Sequence, residues 1–175
     1  MRIVTKRLIL RPLAPKDAED IVENLNNINV SRYLSIVPYP YNLKNAKDFI
    51  KIARKSRNFF AIALKSSEKV AGIIALMNVD SYVKKADIGF WLGEKHWRQG
   101  IAAEALLAIV KFAFSKLKLV RLQATVAIKN KSSVKLLRKA GFKKEGLRRK
   151  ALRAKSTGKW HDTYDFGLLR SDVKL

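Results

Sequence analysis

The chain has 175 residues, 48% of them hydrophobic, which is enough to bury a core and excludes wholesale disorder. Its 37 Lys and Arg face 14 Asp and Glu, a formal charge of +23, and the lack of cysteine excludes a disulfide scaffold, a thiolate nucleophile and any cysteine-held metal cluster. Two histidines, His96 and His161, are too few for a three-histidine metal centre, and no apolar run is long enough to span a membrane.

Residues 3–12 alternate apolar with polar side chains and predict one strand ending at Pro12. Pro15 suits a first helical turn, and Ala18, Ile21, Val22 and Leu25 make the stripe of a helix. Pro38 and Pro40 break the chain into a loop. Asn42 is positioned to cap a second helix carrying Ala46, Phe49, Ile50 and Ala53. Three strand-like runs follow at 59–65, 70–79 and 83–92; their short polar connections predict an antiparallel meander. After Gly100 the period becomes helical through Ile101, Ala105, Ile109 and Phe112. Leu107, Val110 and Phe114 lie on the other side, so burial is expected around much of the circumference. A strand at 119–128, a short helix at 132–140 stopped by Gly141, and strands at 142–148 and 163–169 complete the order. The expected fold is α/β, a single domain over 1–175 with a mixed sheet and helices on both faces.

Met1 to Leu10 lacks the continuous apolar stretch of a secretory signal, so a soluble cytoplasmic protein without a membrane partner is expected. Charge is uneven along the chain. Asp17, Glu19, Asp20 and Glu23 crowd the first helix, whereas Lys111 to Lys159 holds 17 basic residues and a single acid, Glu145. A potential of one sign over that half attracts polyanions, RNA or a ribosome among them. A solubilising surface accounts for it equally well.

The turn between the third meander strand and the long helix carries the chemistry. Trp97-Arg98-Gln99-Gly100-Ile101-Ala102 places a glycine and small side chains at a helix N-terminus, where unpaired N–H groups and a partial positive charge suit a phosphate. That stretch resembles the acetyl-CoA pyrophosphate loop of the GNAT N-acetyltransferases, and Ala86 to Leu92 resembles the strand before it. Asn130-Lys131-Ser132-Ser133, then Gly141-Phe142 and Glu145-Gly146, are similar to the signature of the branch containing the Rim-type ribosomal-protein N-terminal acetyltransferases. Thr5 to Pro12 and Gly158 to Asp162 match that branch's opening strand and closing turn.

The resemblance implies a mostly antiparallel sheet with two splayed parallel strands, and acetyl-CoA as acetyl donor with no metal. Its pantetheine arm would lie along the backbone of Phe90, Trp91 and Leu92, and its pyrophosphate on Arg98, Gln99, Gly100, Ile101 and Ala102. The Leu92 amide would polarise the thioester carbonyl, Asn130 would contact the cofactor, and Ser133 would both contact it and protonate the leaving thiolate. Trp91 and Trp97 would line the acetyl pocket. Trp97 and Arg98 depart from the wider family, which usually has Arg or Gln and then Gly. Leu137 stands where many relatives have a tyrosine acid, which leaves Ser133 for that role. No acid occurs between Arg148 and Lys159, where ribosomal-serine acetylating relatives carry a glutamate; Asp87 is the candidate base and His161 the alternative. Asp162 reads as a turn residue and Glu104 as a structural carboxylate. The implied acceptor is a protein N-terminus. A small amine such as an aminoglycoside, polyamine or amino acid is the alternative, as is a silent acetyl-CoA- or RNA-binding module, and a monomer and a homodimer fit equally.

Overall fold

The computed structural model describes residues 2–173. Residues expected to make one N-terminal strand form a hairpin instead: β1 (Ile3–Val4) pairs with β2 (Leu8–Pro12). Thr5 closes the turn between them. Its N–H donates to Leu8 O at 3.0 Å and its hydroxyl accepts from Leu8 N–H at 3.0 Å, a local bond that competes with strand pairing.

A 3-10 turn (Pro15–Asp17) leads into α1 (Ala18–Leu25). Asp17 is buried there, gripped by both Arg11 Nη atoms at 2.8 Å and by Ala14 N–H at 2.7 Å. A one-turn helix, α2 (Ile28–Ser31), follows; its short polar sequence carries no periodicity to announce it. Asn42 caps α3 (Leu43–Ser56) as expected, accepting from Asn45 N–H while Asn45 accepts from Asn42 N–H.

The meander is β3 (Phe59–Leu64), β4 (Val70–Asp80) and β5 (Lys85–Leu92), antiparallel throughout. After α4 (Ile101–Ser115), β6 (Arg121–Ala127) lies parallel to β5. Then come α5 (Lys131–Lys139), β7 (Lys143–Arg153) and β8 (Trp160–Leu169). Among the described residues the eight-stranded order is β1-β2-β3-β4-β5-β6-β8-β7, with β5 and β6 the one parallel pair. β7 runs to Arg153 and β8 begins at Trp160, both longer than the sequence implied. Nearly every β7 residue is exposed and six of the eleven are basic, so no apolar alternation marks its length.

Alternation divides the core between the two sheet faces. Phe60, Ile62, Ile74 and Leu76 face α4 and α5, while Ala61 and Ile73 face α1 and α3. Within α4, Val110 and Phe114 are buried as expected, whereas Leu107 points to solvent at 57% exposure. Among the described residues no helix is long and apolar enough to cross a membrane.

Candidate active site

The parallel pair decides where a cleft opens. β5 and β6 pair only from Lys85–Arg121 to Asp87–Gln123, yet β5 continues to Leu92 and β6 to Ala127. Beyond Asp87 the strands part, leaving a wedge between them. Gly93 N–H donates to Ala71 O, so ladder alternation turns the Leu92 N–H and both backbone groups of Phe90 away from β4 and toward that wedge. Trp97 Nε1–H spans the loop after β5 to donate to Leu92 O at 2.7 Å.

A cavity of about 580 Å³ fills the wedge. Phe90, Trp91 and Leu92 form one wall, and Gly100, Ile101, Ala102 and Ala103 form the end of α4. Asn130, Ser132, Ser133 and Leu136 come from α5, and the α2 side contributes Asn29, Tyr33 and Leu34. Arg98 and Gly100 both sit in left-handed backbone, with φ of 60° and 75°, the excursion that makes neighbouring N–H groups converge on an anion. Within α4 the first backbone bond runs from Glu104 N–H to Gly100 O, so the N–H groups of Ile101, Ala102 and Ala103 have no intrahelical acceptor.

The loop is braced from behind. Glu104 accepts from the Thr5 hydroxyl at 2.6 Å, from Arg7 N–H at 2.8 Å and from Arg7 Nε at 2.7 Å, and Arg7 Nη1 then reaches Gln99 O at 2.8 Å. Burial works to raise the Glu104 carboxyl, but the hydrogen bonds from Thr5 and Arg7 outweigh it and hold the group below its ordinary value. Glu104 is thus structural, as its place in the sequence suggested.

Asn130 caps α5, its side-chain oxygen accepting from Ser133 N–H at 3.2 Å. Ser133 is half-buried on the cavity wall, and its Oγ has no hydrogen-bond partner among the described residues. Phe90, Trp91, Leu92, Trp97, Arg98, Gly100, Ile101, Ala102, Asn130 and Ser133 are therefore brought together around one cavity. Three expected residues, Gln99, Asp87 and His161, are not. Gln99 turns its side chain back to Lys95 O at 2.8 Å, outside the lining. Asp87 lies at the apex of the wedge, five residues and about 16 Å of strand from Leu92. Its two oxygens accept from Asn78 at 2.6 Å and Gln123 at 2.5 Å, and it does not line the cavity. That placement fits a pin holding β4, β5 and β6 together better than a base.

His161 is the second candidate base, and it also stands behind the wall. Its ring packs edge-on against Tyr33 at 5.3 Å, and its Nε2 is buried without a partner. Burial and then the nearby Lys129 hold its imidazole below the ordinary value. His96, which does line the cavity, is lowered by burial and then by Lys95.

Sequence reasoning missed most of the cavity's charge. Arg32, Arg98, Lys129, Lys131, Lys135 and Lys139 line it, and no carboxylate does. Lys131, Lys135 and Lys139 stand four residues apart on α5, a spacing readable in the sequence once the helix face is known. Converging N–H groups and six cations suit a polyphosphate. Among the described residues no cluster of three or more His, Asp and Glu is placed to hold a metal ion.

Residues 7–143 match the Acetyltransferase (GNAT) domain family. The uncharacterized N-acetyltransferase p20 of Bacillus licheniformis is 33% identical, covering 97% of each chain. YdaF of Bacillus subtilis, provisionally named a ribosomal N-acetyltransferase, is 27% identical over 97% of this chain and 94% of its own. The spermidine N(1)-acetyltransferase of Escherichia coli K12 is also 27% identical, over 78% of this chain and 73% of its own. Among solved structures, a GNAT-family acetyltransferase from Bacillus anthracis superposes with a TM-score of 0.87 at 24% identity, covering 98% and 99% of the two chains.

Proposed function

The chain belongs to the GNAT acetyltransferase domain family, and from that premise we propose that it transfers acetyl from acetyl-CoA to the α-amine of a protein N-terminus, that of a ribosomal protein foremost. The observation that carries the choice of acceptor is the charge of the cavity: six cations and no carboxylate. Such a lining attracts a polyanionic donor and opposes a peptide end, with at most one positive charge, far less than a polycation. It repels a polyamine, because like charges at close range raise each other's energy. YdaF, similar over nearly the whole chain, supports the ribosomal reading.

Acetyl-CoA supplies an activated thioester carbonyl. The N–H groups from Arg98 to Ala102 would hold its pyrophosphate, and the wedge-facing backbone of Phe90, Trp91 and Leu92 its pantetheine arm. Leu92 N–H is oriented to polarise a carbonyl in the wedge. Asn130 fixes the first turn of α5, which sets Ser133 on the wall with its Oγ–H free to protonate a sulfur leaving group. An α-amine has a pKa near about 8, so a usable fraction is neutral at physiological pH and a dedicated base contributes little. Positioning the amine against the carbonyl then supplies most of the rate.

A second reading, acetylation of a small amine, is favoured by the similarity to the Escherichia coli spermidine enzyme. A panel assay separates the two, with acetyl-CoA as donor and N-terminal peptides beside spermidine, an aminoglycoside and free amino acids as acceptors. Turnover on peptides above every small amine is expected. Turnover confined to a small amine refutes the proposal.

A further inference from the structure

β7 is one of the two edge strands of the sheet, and all its residues except Gly146 and Leu152 are exposed. Lys143 is paired with Asp172 at 2.6 Å and Arg148 with Asp165 at 2.7 Å. Beyond these the arm made by the end of β7, the turn at 154–159 and the start of β8 carries Arg149, Lys150, Arg153, Lys155 and Lys159. None forms a salt bridge among the described residues, the one carboxylate contact being backbone Lys150 N–H to Asp162 Oδ1 at 2.8 Å, and no Asp or Glu occurs from Lys150 to His161. Five exposed, uncompensated cations within eleven consecutive residues are more than one cofactor's phosphates need, and none of the five lines the cavity.

A plain solubilising surface would consist of charge alone. Here Trp160 stands 56% exposed on the same arm, opposite Arg153 in the strand register. The Arg153 guanidinium lies 5.6 Å from the indole centroid and is tethered by its Nε–H to Gly158 O at 3.2 Å. An indole face and a planar guanidinium held together, flanked by free cations, make a stacking platform beside a track for phosphates. The arm also abuts the cavity: Lys155 N–H reaches Leu34 O, and His161 packs on Tyr33.

We propose that the β7–β8 arm is a docking site for single-stranded RNA, with Trp160 and Arg153 stacking on bases and Arg149, Lys150, Lys155 and Lys159 contacting phosphates. The site is independent of which amine is acetylated. An acidic peptide would use the cations but gain nothing from the exposed indole.

The test is fluorescence anisotropy of the full chain with a labelled oligouridylate of about 12 nucleotides, against polyglutamate of matched charge. Four phosphate contacts give a slope of log affinity on log salt of about −2.8, or about fiftyfold weaker binding between about 50 and 200 mM salt. Trp160→Ala is expected to weaken RNA binding about tenfold and leave polyglutamate unaffected. The triple variant Arg149→Gln, Arg153→Gln, Lys155→Gln removes two phosphate contacts and one stacking group, and is expected to flatten the slope by about 1.4. Both variants retain acetyl transfer to a free acceptor, since the residues lie outside the cavity. No RNA binding at about 50 mM salt overturns the proposal. So does equal affinity for RNA and polyglutamate with no response to Trp160→Ala.

Discussion

Gly100→Ala asks whether the left-handed turn before α4 serves the cofactor. Gly100 has φ 75°, where an added Cβ costs about 1–2 kcal/mol. Among the described residues, and leaving aside its own chain neighbours and helix, that Cβ would meet only Arg7 Nη2 within 4 Å, at 3.3 Å. Arg7 is long and 47% exposed, so it can yield a few tenths of an ångström; the steric cost is small beside the backbone cost. For a chain of this size the melting temperature should fall by about 2–8 °C with the fold retained. The same distortion tilts the N–H groups of Ile101, Ala102 and Ala103, so CoA affinity should fall at least about tenfold, worth about 1.4 kcal/mol. Gly158→Ala is the control. It has φ 67°, meets nothing within 4 Å and lies outside the cavity. It should lose similar thermal stability and keep CoA affinity. Differential scanning fluorimetry and calorimetry with CoA read both quantities. Unchanged CoA affinity in Gly100→Ala, with the melting loss present, refutes the assignment of this turn to the pyrophosphate.

Three further outcomes follow from the same geometry. Ser133→Ala should lower kcat by about 10²- to 10⁴-fold with CoA affinity and melting temperature unchanged; equal losses in turnover and affinity would make Ser133 a binding residue only. Glu104→Ala strips Thr5 and Arg7 of their shared acceptor and unfastens Gln99, so melting and CoA affinity should fall together, and an undiminished CoA affinity contradicts the bracing role. Burial lowers both His96 and His161 below the imidazole value of about 6.5, so in acid the unfolded chain takes up more protons than the folded one. Stability should therefore drop as pH falls from about 7 to 5, and the double variant His96→Gln, His161→Gln should flatten that dependence. A melting temperature that is level or rising over that range contradicts the burial of these rings.

The parts of the cavity legible in the sequence are those that local chemistry writes into one continuous stretch. Apolar alternation marks β5, the switch to helical spacing marks α4, and Gly100 marks the turn between them. Asn130 and Ser133 are legible only through the resemblance to the family signature; that Asn130 caps α5 at Ser133 N–H is what the fold adds. The cations on α5 were legible only as excess charge, because nothing local says which helix face meets the wedge. The α2 side was invisible: its four residues carry no periodicity, and they reach the cavity through tertiary packing. Asp87 shows the opposite case. A carboxylate on the correct strand looked available, but strand pairing sets it at the apex between two amides. The N-terminal hairpin was hidden because alternation persists across Thr5, whose backbone N–H and hydroxyl bonds to Leu8 break it.

The central claim is that the β5–β6 wedge holds acetyl-CoA by backbone N–H groups and cations. A crystal structure of the chain with CoA tests it most directly. The account predicts the pyrophosphate on the N–H groups between Arg98 and Ala102, the pantetheine arm along Phe90 to Leu92, and the sulfur within reach of Ser133 Oγ. CoA bound elsewhere, or with its phosphates away from the start of α4, contradicts it.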